Sequence, residues 1–203
     1  MVTRYENPAN DIVVVGVGGQ GILLATDIIA NTFIAAGYDV KKSEVHGMAQ
    51  RGGSVESHVR RNRERVYSPL IGRGTADVLL SFEKMEALRY APFVRPEGVI
   101  IYSTQQIPTA PMAMGQGKYP QNIEQKLKEY CRHCLPVDAL QGASELGNTR
   151  VANTILVGAL SHLTELDYQA WEQAVLDRVP TGAEDVNRRA LALGRGVAAE
   201  AFA

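Results

Sequence analysis

A glycine-rich turn, Gly16-Val17-Gly18-Gly19-Gln20-Gly21, restricts the folds open to this chain more than any other stretch. It follows DIVVVG at 11–16, a short β-branched apolar run that reads as a buried parallel strand. After the turn, Ile22, Ala25, Ile29 and Phe33 recur at helical spacing through Ala36, and Gly37 stands where a helix C-cap belongs. Residues 38–42 resume as strand, so the chain opens like a βαβ unit. The pattern G-x-G-x-x-G between a strand and a helix suits a ligand phosphate or carboxylate. Gly16 permits the tight turn, Gly18 lets a ligand approach the backbone, and Gly21 lets helix and strand pack closely. Unpaired N–H groups at the helix start favour an anion. Gly16, Gly18, Gly19, Gln20 and Gly21 are therefore candidate ligand-binding residues, with a turn kept for packing alone as the alternative.

Further elements follow from periodicity. Residues 54–60 alternate apolar and polar side chains, 62–64 can turn the chain, and 65–71 can return as a partner strand. Residues 76–82 and 99–103 read as buried strands, 83–90 and 122–131 as helices, and 135–139 as a further strand. The proline-bearing stretch 104–120 reads as a long loop. The final third is helical at 149–163, 168–178 and 184–199. The expected architecture is α/β: a three-layer, Rossmann-like, mostly parallel sheet with an appended β-hairpin and a helical C-terminal third. It forms a single domain over residues 1–203.

A second segment, SEVHGMAQRGGS at 43–54, has too little apolar periodicity to bury itself as an ordinary helix or strand. Glycine makes it costly to order. Arg51, flanked by Gln50 and by Gly52 and Gly53, can present its guanidinium fork to a phosphate or carboxylate. His46 can donate to an anion or move a proton near neutral pH, and is the one catalytic candidate. A loop folded over another subunit, with Arg51 in a salt bridge, is the alternative reading. A dinucleotide would need an acidic residue at the end of the second strand. Lys41 and Lys42 close that strand and Glu44 comes later than expected, which disfavours a stand-alone NAD(P)-linked oxidoreductase, although the two lysines can face a 2′-phosphate.

Twenty-one basic against twenty-two acidic residues exclude the basic excess of a nucleic-acid-binding domain. The cluster Arg60, Arg61, Arg63 and Arg65 reads as a solvated turn between two strands. The N-terminal residues lack the apolar core of a signal peptide, and no run is apolar enough to span a bilayer, so a cytoplasmic protein is expected. Cys131 and Cys134 have C-x-x-C spacing but lack the further ligands of a closed zinc or iron–sulfur site, so no metal is expected.

With GVGGQG at 16–21, SEVHGMAQRGGSV at 43–55 and LGNTRVANTILVGAL at 146–160, the chain resembles the gamma domain of 2-oxoacid:ferredoxin oxidoreductases. The wording of the second segment points to the arylpyruvate (indolepyruvate) branch. The resemblance implies a partner subunit in a thiamine-diphosphate-dependent complex that oxidatively decarboxylates a 2-oxo acid to an acyl-CoA. A larger alpha subunit would carry thiamine diphosphate, Mg2+ and the [4Fe-4S] clusters. Coenzyme A would be the co-substrate, and ferredoxin would be reached through the complex. This chain has neither the thiamine signature nor four cysteines, and so holds none of these cofactors alone. The residues carried over as cofactor-binding are the glycine turn with Glu44, His46, Gln50, Arg51, Gly52 and Gly53. A non-enzymatic assembly module, in which both loops merely dock a partner, is the remaining alternative.

Overall fold

The computed structural model describes residues 9–46 and 52–203. Strand β1 (Asp11–Val17) leads through the glycine turn into helix α1 (Ile22–Ala35), and then into β2 (Asp39–His46) and β3 (Ser54–Asn62). Next come β4 (Ala76–Ser81), α2 (Lys84–Tyr90), β5 (Val94–Ser103), the single turn α3 (Ala110–Ala113), α4 (Ile123–Tyr130) and β6 (His133–Val137). The chain ends in α5 (Ala139–Glu145), α6 (Ala152–His162), α7 (Tyr168–Leu176) and α8 (Glu184–Ala201). The six strands lie in the order β2-β3-β1-β4-β5-β6. β1, β4, β5 and β6 are parallel to one another, and β3 is antiparallel to both β1 and β2.

Strand alternation divides the apolar residues between two cores. Ile12, Val14, Val78 and Leu80 face Phe33, Leu156, Trp171 and Leu191 on one side. Val13, Val15, Leu79 and Ile100 face Met85 and Leu127 on the other. The expected three-layer α/β sheet with an appended hairpin is thus present. Among the described residues, no helix is long and apolar enough to cross a membrane.

The hairpin is made from different strands than the periodicity suggests. Residues 65–71 do not pair with 54–60. Instead β2 and β3 form the hairpin, so 43–46 are strand, contrary to their composition. β3 is already paired along both edges, by β1 and β2, and has no free ladder for a third strand. Residues 65–71 are held by side chains instead: Val66 N donates to Asp39 Oδ2 at 2.7 Å, and Ile71 N donates to His58 Nδ1 at 2.9 Å. That bond leaves the other ring nitrogen of His58 to meet Glu56 at 2.6 Å. α5 is an element the sequence reading lacked. It begins at the Asp138 cap, whose carboxylate accepts from Gln141 N at 3.3 Å.

The arginine cluster is divided: Arg63 and Arg65 are exposed as a solvated turn would have them, but Arg60 and Arg61 are not. Arg60 is bidentate to Asp11, both contacts at 2.9 Å. Arg61 has 0% side-chain exposure and pairs with Glu165, in the loop between α6 and α7, at 2.7 and 2.8 Å. Its Nε donates to Ala9 O at 2.9 Å, and its guanidinium lies 4.1 Å from the Phe33 ring and 4.6 Å from the Tyr38 ring. Tyr38 donates its hydroxyl to the same Glu165 carboxylate.

Two small residues let α6 and α8 cross closely. A Cβ on Gly194 would lie 1.8 Å from Ile155 O, and one on Gly158 would lie 2.2 Å from Leu191 O. Gly194→Ala is accordingly expected to lower stability by about 3 kcal/mol, because backbone and not a flexible side chain must yield. Denaturant unfolding measures this, and an unchanged midpoint would contradict the crossing.

Burial alone would raise the Glu165 carboxyl, but hydrogen bonds from Arg61 and Tyr38 hold it down at about 2. Because the folded value lies below the unfolded one, this stabilisation is complete above about pH 5 and fades as pH falls towards 2. Glu165→Ala is expected to cost about 3 kcal/mol at neutral pH, the low end for an orphaned buried charge, since Glu165 itself is partly solvated. Melting curves from pH 7 to pH 3 should show the loss shrinking in acid. A pH-independent difference would refute the assignment.

Candidate functional site

The carboxyl ends of the parallel strands converge on a cleft of about 550 Å³. Open α/β sheets bind ligands at that edge. Gly19, Gln20 and Gly21 form one wall, Phe82, Ser103 and Gln105 the floor, and residues 148–154 the opposite wall.

Gln20 closes the turn internally. Its Oε1 accepts from Val17 N at 2.8 Å, while Nε2 donates to Phe82 O at 2.8 Å and Gln105 Oε1 at 3.0 Å. One side chain therefore joins the ends of β1, β4 and β5. Gly16 makes room for it: a Cβ there would lie 2.8 Å from both Gln20 Oε1 and Phe82 Cβ. Gly19 and Gly21 have φ of 105° and 79°, values that favour glycine. A Cβ on Gly21 would also meet Asn153 Nδ2 at 2.7 Å, so the turn touches the start of α6.

The first backbone bond of α1 runs from Ala25 N to Gly21 O, which leaves the amides of Ile22, Leu23 and Leu24 without intrahelical acceptors. No acidic residue occupies the first turn of α1 or of α6. A 3₁₀ turn at Thr149–Val151 leads into α6, capped by Asn148 Oδ1, which accepts from Arg150 N at 3.1 Å. Arg150 is exposed, lines the cleft and has no ion-pair partner among the described residues. Among the described residues the cleft lining contains no Asp, Glu or Lys. Two positive helix ends and one guanidinium without a carboxylate are donors whose chemistry suits an anion such as a phosphate or carboxylate. Nearby, Thr154 donates to Asn187 Oδ1 at 2.7 Å and Asn187 Nδ2 donates to Ala183 O at 2.8 Å, fixing the wall.

The second loop leaves the sheet at the same edge. β2 ends at His46, in register with Val55 of β3, which pairs in turn with Gly16 of β1. Gly53 O accepts from Gly18 N at 2.8 Å, so the base of this loop is bonded to the glycine turn. Gly52 has φ of 77°. Gln50 and Arg51, and the side chain of His46, lie outside the described residues. Glu44 is not brought to the cleft. It pairs with Lys42 Nζ at 2.6 Å, and β3 separates its strand from β1, setting it about 10 Å farther along the sheet. The acid that would take ribose hydroxyls is therefore displaced and already paired.

Asn148, Arg150 and Asn153 were not singled out as site residues from the sequence. The available signal was the Gly147-Asn148-Thr149-Arg150 start of a helix, a cap followed by an arginine without a nearby acid. Glu83, next to Phe82, is also notable. It is fully buried, accepts from Ile107 N at 3.0 Å and Tyr119 Oη at 2.5 Å, and so fastens both ends of the loop after β5. Burial and the bond to Glu83 push the Tyr119 hydroxyl well above its ordinary value, keeping it a donor. Among the described residues no group of His, Cys, Asp and Glu could hold a metal ion. Cys134, in the far edge strand β6, and Cys131, at the end of α4 just before it, are free thiols.

Comparison with known proteins places these features in a family. Residues 11–197 match the sequence model of the pyruvate ferredoxin/flavodoxin oxidoreductase family. The indolepyruvate oxidoreductase subunit IorB of Thermococcus kodakarensis is 39% identical over 195 residues, covering 94% of this chain and 96% of that protein. The keto/oxoacid ferredoxin oxidoreductase gamma subunit of Geobacter sulfurreducens superposes with a TM-score of 0.70 at 25% identity, over 94% of this chain and 99% of that one. The 2-oxoglutarate:ferredoxin oxidoreductase of Magnetococcus marinus, solved with 2-oxoglutarate, coenzyme A and succinyl-CoA bound, shares the fold. Its TM-score is 0.75 at 23% identity, covering 96% of this chain and 32% of that one.

Arg150→Ala is expected to weaken binding of inorganic pyrophosphate to the purified chain about tenfold, the value of one charged hydrogen bond. Titration calorimetry reads it directly, and equal affinities would remove Arg150 from the site.

Proposed function

This chain belongs to the pyruvate ferredoxin/flavodoxin oxidoreductase family, and from that premise we propose that it is the small subunit of a 2-oxoacid:ferredoxin oxidoreductase acting on indolepyruvate or a similar arylpyruvate. Residues 1–203 act as one gamma-type domain of a cytoplasmic heteromer. A larger subunit holds thiamine diphosphate, Mg2+ and the [4Fe-4S] clusters, and delivers electrons to ferredoxin. Two cysteines in the whole chain are too few for a cluster, which takes four.

The observation that carries this reading is the acid-free cleft, beside the base of the 47–53 loop. An anionic co-substrate such as coenzyme A, or the substrate carboxylate, fits its donors. The bound thiamine cofactor would supply the electron sink for decarboxylation. The work of this chain is to hold and to shield. The amides of α1 and the Arg150 guanidinium bind a phosphate, while Arg51, Gln50 and His46 would help hold the substrate carboxylate or a phosphate and exclude water. Gln20, spent on Val17, Phe82 and Gln105, keeps the turn in shape and is not free to bind a ligand.

The stand-alone dinucleotide reading has little to rest on, because Glu44 is paired with Lys42 and removed from β1. A pure assembly module is separated by kinetics. In the complex reconstituted with its larger subunit, Arg51→Ala is expected to lower kcat/KM about tenfold or more while the subunits still co-purify. Unchanged steady-state kinetics, or oxidation of the keto acid by this chain alone, would overturn the proposal.

A further inference from the structure

At the amino end of β1, away from the glycine cleft, residues 63–74 form an ordered loop that is neither helix nor strand. Besides the bonds from Val66 N and Ile71 N, Arg60 Nη1 donates to Ser68 O at 3.3 Å and to Leu70 O at 3.1 Å. Val66 and Ile71 are buried beneath it, at 5% and 3% exposure. This fastening lifts two large apolar side chains into solvent: Tyr67 is 85% exposed and Leu70 58%. The Arg65 guanidinium lies 5.4 Å over the Tyr67 ring and that of Arg63 lies 4.1 Å over Tyr38. Arg63, Arg65 and Arg73 have no carboxylate partner among the described ion pairs, and Glu64 is the one acidic residue of the loop.

Such a surface costs free energy when left in water. Tyrosine and arginine held in place by their own fold lose little conformational entropy on contact, and these residue types dominate interface energetics. We propose that this loop is a docking surface for an acidic patch with an apolar recess on the larger subunit of the complex. The inference rests on the heteromeric reading above and adds to it which face is engaged and by what chemistry.

Two observations favour that occupant. The chain as a whole has a net charge of −1, so the unpaired guanidiniums are a local excess and select an acidic surface. In the Magnetococcus marinus enzyme the same fold makes up 32% of a longer chain, where covalent linkage holds it to the remaining polypeptide. The Thermococcus kodakarensis subunit IorB, 96% of whose length this chain covers, has no room for such a linked remainder, and a subunit of that kind needs surface contacts in its place. The loop lies at the end of the sheet opposite the cleft, so this contact is additional to the one that brings the cleft to the reacting centre.

The test is to measure by surface plasmon resonance the affinity of the full-length chain for its immobilised larger subunit. The doubly substituted Arg65→Glu, Tyr67→Ala protein is expected to bind about 30-fold more weakly. Arg132→Glu, an equal charge change at an exposed site on the far edge of the sheet, should bind as the wild type does. Amide hydrogen exchange on the wild-type complex gives a readout free of substitution, and residues 63–74 should become protected. Wild-type affinity of the double variant, equal loss in Arg132→Glu, or no protection of 63–74 would each overturn the docking surface. Failure of the wild-type chain to bind the larger subunit at all would instead overturn the heteromeric reading.

Discussion

The buried guanidinium of Arg61 holds together parts of the molecule that are far apart in sequence. β3 lies between β1 and β2, and Arg61 near its end pairs with Glu165 in the loop between α6 and α7, with its guanidinium over the Phe33 and Tyr38 rings. A charge without solvent contact is tolerated only when its donors are satisfied, and here Ala9 O and the Glu165 carboxylate accept from it. The hairpin cannot slide against the C-terminal helices without leaving that charge unpaired. The register of β3 against β1, and with it the place where the 47–53 loop leaves the sheet, is set by this constraint.

The same logic on a smaller scale shapes the ligand edge. Gln20 spends its amide on three strand ends, which requires Gly16 to have no side chain, while Gly21 lets the turn press against Asn153. What remains for a ligand is the free amides of α1, the start of α6, and the Arg150 guanidinium, which has no ion-pair partner among the described residues. Carboxylates are kept out of the lining and are neutralised elsewhere, Glu44 by Lys42 and Asp11 by Arg60. An acid-free cleft beside two helix starts selects for negative charge before any particular ligand is considered.

The sequence was most legible where a local pattern and the global fold agree. The G-x-G-x-x-G turn, the buried β1 and β4, the positions of α1, α2 and α4, and the helical final third all follow from short-range periodicity, and they appear as expected. It was least legible where pairing is non-local. Val55, Ser57 and Val59 alternate as a strand should, but alternation does not name the partner, so residues 65–71 were paired with β3 when β2 holds that position. Ser43 to His46 looked too polar for a strand, yet their ladder to β3 satisfies the backbone without help from apolar side chains. α5 was overlooked because seven residues carry too little periodicity to separate a helix from the strand before it.

By itself, then, the sequence determined the class of fold, the glycine turn that ends β1, and the segments 16–21, 43–55 and 146–160 whose wording marks the family, because these depend on patterns within a few residues. Only the tertiary structure decided that the two loops meet through Gly18 and Gly53, that Arg61 is core and not surface, and that Arg150 joins the cleft from the other side. Each of those facts rests on residues about 35 to 130 positions apart coming into contact, and such contacts are fixed by burial and by the pairing of polar groups in three dimensions. No spacing along the chain encodes them.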